Sequence, residues 1–319
     1  MLQRMAVLLL ALALAITPAL AEKAMEELDE RKEFEAGYKQ FQVKNYKGAI
    51  HHFDRALKKE PGFVKAYVWR GASFFLMDDP KRSMNDLNKA LELDPENEVA
   101  IYFRGGAYFF LGDSRAAIKD YTRFLKFSEE NAQGYFYRAL SHYRLGEIQP
   151  AISDASRAIE FNPKNGDAFA IRGGAYMRQQ NYSGATRDFE FAVKLQPDNP
   201  TYQMLHYVAQ ARSGNTSTAD LQKFAATAPQ TNAWPYPALR LLLGKITPEE
   251  CIAEAQKSSE NEVYRTMAVD QANFYAAQYY TLKGDAPKAT EYMTMVEHNE
   301  LNLLFSQNLA KYRLARLEK

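Results

Sequence analysis

The chain has 319 residues, of which 46% are hydrophobic and 25% are charged. This composition is that of a folded protein with a core, and it excludes wholesale disorder. Lys and Arg number 40 and Asp and Glu number 39, so no long-range field favours nucleic acid or anionic lipid as a partner. The single cysteine excludes an internal disulfide framework and a zinc site built from cysteines.

Residues 1–21 have the order of a secretory signal peptide. Arg4 comes first, the apolar run Met5–Ile16 follows, and the small-residue pattern Ala19-Leu20-Ala21 closes the segment. The apolar run is shorter than the roughly 20 residues that span a bilayer. We therefore expect cleavage after Ala21, a periplasmic or secreted location and no stable membrane anchor in the mature chain. The alternative is an uncleaved anchor.

A regular period governs the next part of the chain. The period relates small residues at Ala49, Ser83, Ala117, Ala151 and Ala185, and also Gly37, Gly71, Gly105, Ala139 and Gly173. Prolines recur in the same phase at Pro61, Pro95, Pro163 and Pro197. A period of about 34 residues is typical of stacked helix hairpins. The pattern resembles the tetratricopeptide repeat, and within residues 22–199 it implies five units, at about 30–63, 64–97, 98–131, 132–165 and 166–199.

The physical reasons for this pattern lead to a fold prediction. Each unit is expected to be two antiparallel helices, since its apolar residues have helical spacing. Small residues let the two helices approach closely, and the proline ends the second helix because it lacks an N–H and clashes with the preceding turn. One hairpin cannot bury its own apolar face. The sequence therefore predicts an all-α fold, a right-handed superhelical solenoid of helix hairpins with a concave inner surface.

Residues 200–319 carry a decayed form of the same pattern, which predicts a degenerate helical region. Leu205–Arg212 and Ala219–Ala226 are interpreted as a sixth helix pair in which the repeat pattern is degenerate. Thr247 begins a later helix as a hydroxyl N-cap. Leu301–Leu317 is predicted to be an amphipathic helix that caps the solenoid with its polar face.

A second resemblance lies in this C-terminal region. It is carried by Trp234, by Leu242-Leu243-Gly244-Lys245-Ile246-Thr247, by Asn273-Phe274-Tyr275, by Tyr279-Tyr280 and by Lys283-Gly284-Asp285. Over roughly Trp234–Val296 the chain resembles the new-lipoprotein-I type of bacterial envelope repeat proteins. This resemblance implies an adaptor that dimerises and brings envelope proteases together with murein hydrolases. That family is lipidated on an N-terminal cysteine, which this chain lacks.

The repeat architecture also implies which side chains line the concave groove, namely positions 2, 5, 9 and 12 of each first helix. The aromatic and apolar side chains there are Phe34, Tyr38, Phe41, Val68, Phe75, Tyr102, Phe109, Phe136, Tyr143 and Met177, and position 13 adds Arg144 and Arg178. Aromatic rings suit an extended peptide or an amphipathic helix, and arginines suit a carboxylate. The alternatives are that residues 22–30 or the final helix fill the groove, or that it is a homodimer contact.

Two charged sets recur at the same period. They are the arginines Arg70, Arg104, Arg138 and Arg172, and the aspartates Asp86, Asp120, Asp154 and Asp188. Both sets are expected near the interface between helices, where partly buried charges must be paired. We predict an Arg–Asp ladder that fixes the register of the repeats. The alternative is that these side chains contact a ligand.

The sequence contains no Gly-x-Ser-x-Gly elbow, no phosphate-binding Gly-Lys-Ser/Thr loop and no His-Glu-x-x-His motif. His51 and His52 are helix neighbours that point about 100° apart, which does not suit a shared metal. Cys251 has no local base or second cysteine. We therefore predict no catalytic residue, no metal and no cofactor. The predicted function is that of an exported scaffold that binds proteins or peptides, and the alternative is a glycan- or small-solute-binding module.

Overall fold

The computed structural model describes residues 31–296, and within this range it contains sixteen helices and no strand. The chain divides into two compact units, residues 1–127 and residues 128–319, called here the first and second unit. The predicted signal peptide, the segment 22–30 and the predicted capping helix lie outside the described residues. Between residues 31 and 296, no helix has the length and apolarity needed to cross a bilayer.

The first unit contains three successive helix pairs. Its helices are α1 (31–42), α2 (Tyr46–Lys59), α3 (Val64–Leu76), α4 (Pro80–Leu93), α5 (Glu98–Phe110) and α6 (Ser114–Phe124). From α2 to α6 each helix packs against the next one in the chain, and α3 also contacts α5. The pairs therefore stack in chain order, and neighbouring first helices touch each other.

The second unit continues the same arrangement and then departs from it. Its helices are α7 (Ala132–Arg144), α8 (Ile148–Phe161), α9 (Gly166–Arg178), α10 (Tyr182–Leu195), α11 (Pro200–Arg212), α12 (Ala219–Thr227), α13 (Tyr236–Leu242), α14 (Pro248–Gln256), α15 (Glu262–Lys283) and α16 (Ala286–Thr294). Helices α7 to α11 stack as hairpins. Helix α15 has 22 residues, longer than a repeat helix, and packs against α11, α13, α14 and α16.

Short polar side chains begin most of the helices at the period of the repeat. Asn97, Asn131, Asn165 and Asn199 are the N-caps of α5, α7, α9 and α11. The side-chain oxygen of Asn165 accepts a hydrogen bond from the backbone N–H of Ala168 at 3.2 Å. Each such bond satisfies an N–H that has no partner inside the helix, so the asparagines fix where the first helices start.

Glycine permits the close approach of the two helices of a hairpin. A Cβ atom at Gly71 would lie 2.9 Å from Cγ of Leu87, and one at Gly105 would lie 3.2 Å from Cζ of Tyr121. Real Cβ contacts are rarely this short, so a larger residue would push the second helix away. The predicted small residues of the repeat therefore have the packing role that the sequence assigns to them.

The C-terminal helices of the second unit cover one face of α11. Met204, Val208 and Ala211 of α11 are buried in a single cluster with Leu241 of α13 and Cys251 of α14. One repeat period after α9, these α11 residues correspond to positions 5, 9 and 12, which were predicted to line an open groove in the preceding repeats. At α11 this face is covered by the chain itself.

Candidate functional site

The predicted Arg–Asp pairs form at all four steps of the repeat. Nε and Nη2 of Arg104 donate to the two carboxylate oxygens of Asp120 at 2.7 and 2.9 Å. The other pairs are Arg70–Asp86, Arg138–Asp154 and Arg172–Asp188, with the same atoms at 2.7 to 2.8 Å. Such a two-point grip fixes geometry as well as charge.

Three of these arginines also reach back to the preceding hairpin. Nη1 donates from Arg70 to Asp54 at 2.6 Å, from Arg104 to Asn88 at 3.1 Å and from Arg172 to Ser156 at 3.0 Å. The carboxylate of Asp120 raises the pKa of Arg104 against the opposing effect of burial. Each arginine thus ties the second helix of its own hairpin to that of the preceding one, which is a structural role.

Four of the side chains predicted to line the groove are buried instead. The exposed fraction is 2% for Val68, 1% for Phe109, 8% for Phe136 and 4% for Tyr143. The prediction that these four side chains line the surface of the groove is therefore wrong. The physical reason is that residues at positions 5, 9 and 12 fill the space between neighbouring first helices.

Phe75 illustrates this packing. A Cβ atom at Gly106 of α5 would lie 2.8 Å from Cζ of Phe75, so the ring of Phe75 occupies the notch that this glycine leaves. The ring also contacts Phe103 and Phe110, with centroids 5.7 and 5.4 Å apart. Phe75 remains half-buried, so part of its ring still faces solvent.

Half-buried aromatic side chains form two groups of contacting rings on the first helices of the first unit, one around Trp69 and one around Phe75. The members of both groups, called here the aromatic surface, are Phe34, Tyr38, Phe41, Trp69, Phe75, Phe103 and Phe110. The Trp69 ring lies edge-on against Tyr38 and Phe41, with both centroid distances 4.8 Å. Tyr102 is half-buried beside it and contacts Phe103 at 5.4 Å. The rings pack on one another, which gives a rigid apolar platform.

Sequence reasoning missed three members of this surface, namely Trp69, Phe103 and Phe110. Trp69 and Phe103 stand one repeat period apart at position 6, and Phe110 stands at position 13. The signal was present, since aromatic residues recur at position 6 in the same phase as the rest of the repeat. The repeat architecture places positions 2, 5, 9 and 12 on the concave side, and position 6 is not one of them.

At position 13 of the repeat, the second unit has Arg144 and Arg178, whereas α5 of the first unit has Phe110. The guanidinium of Arg178 lies over the ring of Tyr143 at 4.7 Å and donates from Nη1 to the Tyr143 carbonyl oxygen at 3.2 Å. Burial lowers the pKa of Arg144 to about 10. Met177 packs against the C-terminal core cluster and so belongs to the interior of this unit.

The single cysteine of the chain is shielded from solvent. Cys251 is fully buried, and burial raises its pKa to about 12. Among residues 31–296, no group of three His, Cys, Asp or Glu side chains is arranged to hold a metal ion. Cys251 therefore has the properties of a packing residue.

The repeats match known family models in two places. Residues 64–97 and residues 104–166 each match a model described as a tetratricopeptide repeat. The chain contains tetratricopeptide repeats. These matches do not extend to the resemblance of Trp234–Val296 to new-lipoprotein-I type adaptors, which stays a prediction.

Solved structures share the fold at low sequence identity. A tetratricopeptide repeat protein from Parabacteroides merdae is 17% identical with a TM-score of 0.60, and the match covers 77% of this chain and 99% of that one. PilF of Pseudomonas aeruginosa is 14% identical with a TM-score of 0.55, covering 65% and 95%. YrrB, described as having an unusual peptide-binding site, is 24% identical with a TM-score of 0.51, covering 59% and 96%. No curated protein matches the chain significantly. The fold is thus a solenoid of tetratricopeptide hairpins, which is consistent with a protein-binding scaffold.

Proposed function

We propose that this protein is a non-catalytic scaffold that binds a protein or peptide partner on the aromatic surface of its first unit. The observation that supports the proposal is the row of half-buried rings on α1, α3 and α5, with Trp69 between Tyr38 and Phe41 at 4.8 Å. Partly exposed aromatic side chains are enriched at protein interfaces.

The rings suit binding because they are already ordered. Mutual packing holds Tyr38, Trp69 and Phe75 in place, so a partner gains apolar contact area without immobilising flexible side chains. An apolar segment of a partner, either extended or helical, is the ligand that such a platform takes.

The proposal extends to location and to partners. An exported adaptor that links envelope proteases and murein hydrolases accords with the signal-like order of residues 1–21 and with the C-terminal resemblance. A homodimer accords with the same resemblance. Edman sequencing of the protein tests cleavage of this segment, since an N-terminus at Glu22 is expected and a retained Met1 would favour the uncleaved anchor.

Substitution in the aromatic surface tests the binding proposal. Trp69→Leu keeps an apolar side chain but removes the indole ring, and combined with Tyr38→Ser it is expected to abolish capture of protein partners by the immobilised chain. Leu93→Ala is the matched control, since Leu93 is 43% exposed on α4 of the same unit. Circular dichroism verifies that all variants stay folded.

Three outcomes are informative. Loss of capture in the double variant alone supports the proposal. Equal capture by all variants contradicts it and moves the binding surface elsewhere. Binding of the wild type to isolated cell wall in the absence of protein partners would favour the glycan-binding alternative.

A further inference from the structure

One stripe of α1 differs from the corresponding stripe of α3, α5, α7 and α9. The stripe consists of positions 3, 7 and 10 of the repeat, which are three or four residues apart and so share one face of a helix. In the later hairpins position 7 is the ladder arginine, and Arg70, Arg104 and Arg172 reach from it to the second helix of the preceding hairpin. The stripe is therefore the face with which a hairpin packs against the one before it.

Small residues occupy the other two positions of this stripe in the later hairpins. Position 3 is buried in all four helices and is occupied by Ala66, Ala100, Gly134 and Ala168. Position 10 is also buried in all four and is serine or alanine, from Ser73 in α3 to Ala175 in α9. The Ser73 hydroxyl donates to the carbonyl oxygen of Trp69 in its own helix at 2.7 Å. Such small side chains let two helices approach closely.

In α1 the same stripe carries two lysines. Lys32 occupies position 3 and Lys39 occupies position 10, and both are exposed, while Ala36 replaces the arginine at position 7. Val43 follows one turn after Lys39, to whose carbonyl oxygen its N–H donates at 3.2 Å, and it is 71% exposed. Lysines thus alternate with apolar side chains along this face of the first hairpin.

The two lysines make this stripe unsuitable for packing against another helix. A helix placed on it would take both ammonium groups out of water, which is costly unless each is paired with an opposite charge. The long side chains would also hold that helix at a greater distance than alanine and serine do. With small residues in place of the lysines, the stripe would have the character of the faces that stack in the later hairpins.

We infer that Lys32 and Lys39 prevent a second copy of this chain from stacking on α1. A face built to receive a hairpin allows contacts between unlike surfaces of successive copies, and such contacts build open filaments unless their rotation closes a ring. A repeat array therefore needs a polar outer face at its ends, and these two lysines supply it at α1. The inference goes beyond the proposed binding function, because the rings of α1 stand at positions 5, 9 and 12.

Sedimentation velocity of the full chain over about a hundredfold range of concentration tests this inference. Lys32→Ala combined with Lys39→Ala gives the stripe the small residues of the later hairpins. The sedimentation coefficient of this variant is expected to rise with concentration above that of the wild type. Circular dichroism verifies the fold, which alanine favours as the strongest helix former. Should the double variant lose helix content, Lys39→Ala alone takes its place.

The matched control is Lys47→Ala combined with Lys58→Ala. It removes the same charge from the same hairpin at positions 18 and 29, which are exposed in all five hairpins. The control is expected to sediment as the wild type does. Lys32→Glu combined with Lys39→Glu keeps charged groups on the stripe and is also expected to match the wild type.

Three results would overturn the inference. If the alanine variant of the stripe sediments as the wild type does at every concentration, the lysines do not prevent stacking. If the control self-associates equally, the loss of net charge rather than the stripe is the cause. If the glutamate variant self-associates, charge on the stripe does not keep a second copy away.

Discussion

At the scale of single residues, the Arg–Asp ladder explains how ionised groups are tolerated between packed helices. The side chain of Arg104 is 19% exposed and that of Asp120 is 4% exposed. Neither group would be stable there alone, because transfer of a charge from water is costly unless a partner compensates it. The bidentate pair, together with the bond to Asn88, supplies that compensation and joins three helices.

Removal of one ladder partner is expected to destabilise the protein strongly. Arg104→Met leaves Asp120 buried and charged, and we expect the free energy of unfolding to fall by about 3 kcal/mol. Arg104→Met combined with Asp120→Leu should recover much of this loss, since both charges are then gone. Chemical denaturation measures each value.

The control for this experiment is an exposed pair in the same unit. Lys89 and Glu92 are 46% and 65% exposed, so Lys89→Met should cost less than about 1 kcal/mol. If Arg104→Met cost no more than Lys89→Met, the ladder would not stabilise the fold and its arginines would be free for a ligand.

His206 stands where the next ladder arginine would be, one repeat period after Arg172. Burial lowers its pKa, and the nearby Glu190 and Asp220 only partly oppose this effect, while Lys194 adds to it. The folded protein therefore takes up the proton less readily than the unfolded chain. The stability that depends on this neutral histidine is complete above pH 6.5, the ordinary value, and is lost as pH falls below it.

This linkage gives a pH prediction. His206→Gln should flatten the decline in the free energy of unfolding between about pH 6.5 and 5. His51→Gln, at an exposed position of α2, should leave the decline as it is in the wild type. Urea denaturation across this range is the measurement. A wild-type profile that is flat, or one that is unaltered by His206→Gln, would remove His206 from the account.

At the scale of helices, the asparagine N-caps mark where each hairpin begins. Asn165→Ala removes the acceptor for the Ala168 N–H, and we expect a loss of about 1 kcal/mol in the free energy of unfolding. Asn165→Asp keeps an acceptor oxygen and should lose much less. Similar losses for both variants would mean that something other than the cap causes the effect.

The sequence predicts which helices pair, but it does not predict how much of each side chain in a pair is exposed to solvent. The repeat period locates helices such as α5 and α6, because small residues and prolines have local consequences that recur. Exposure depends on what the neighbouring helix places opposite. Phe75 and Phe109 share position 12, yet the first is half-buried and the second is 1% exposed.

The packing of α13 to α15 on α11 could not be predicted from the sequence for a related reason. Nothing local to Met204 or Val208 indicates that α13 to α15 will pack on them, since that contact joins segments far apart in the chain. Tyr38 and Phe41 of the aromatic surface are at predicted groove positions, whereas Trp69 at position 6 is not. The sequence signal for Trp69 is the recurrence of an aromatic residue one repeat period later, at Phe103.

At the scale of the whole molecule, each unit offers different chemistry on its first helices. The first unit carries rings that are packed but still partly exposed, and the second carries arginines that are held by rings. A near-neutral chain does not attract charged partners from a distance. Selection among partners therefore depends on direct contact. The central claim is that a partner binds on the aromatic surface of the first unit.

Photo-crosslinking in intact cells tests that claim most directly. A photoreactive amino acid at Lys65 uses an exposed position of α3, one turn before Trp69, and so leaves the aromatic packing intact. The account predicts a covalent adduct with a partner protein from Lys65 that Trp69→Leu abolishes, and none from the exposed Lys89 of α4. No adduct at Lys65, or equal adducts at both positions, would contradict it.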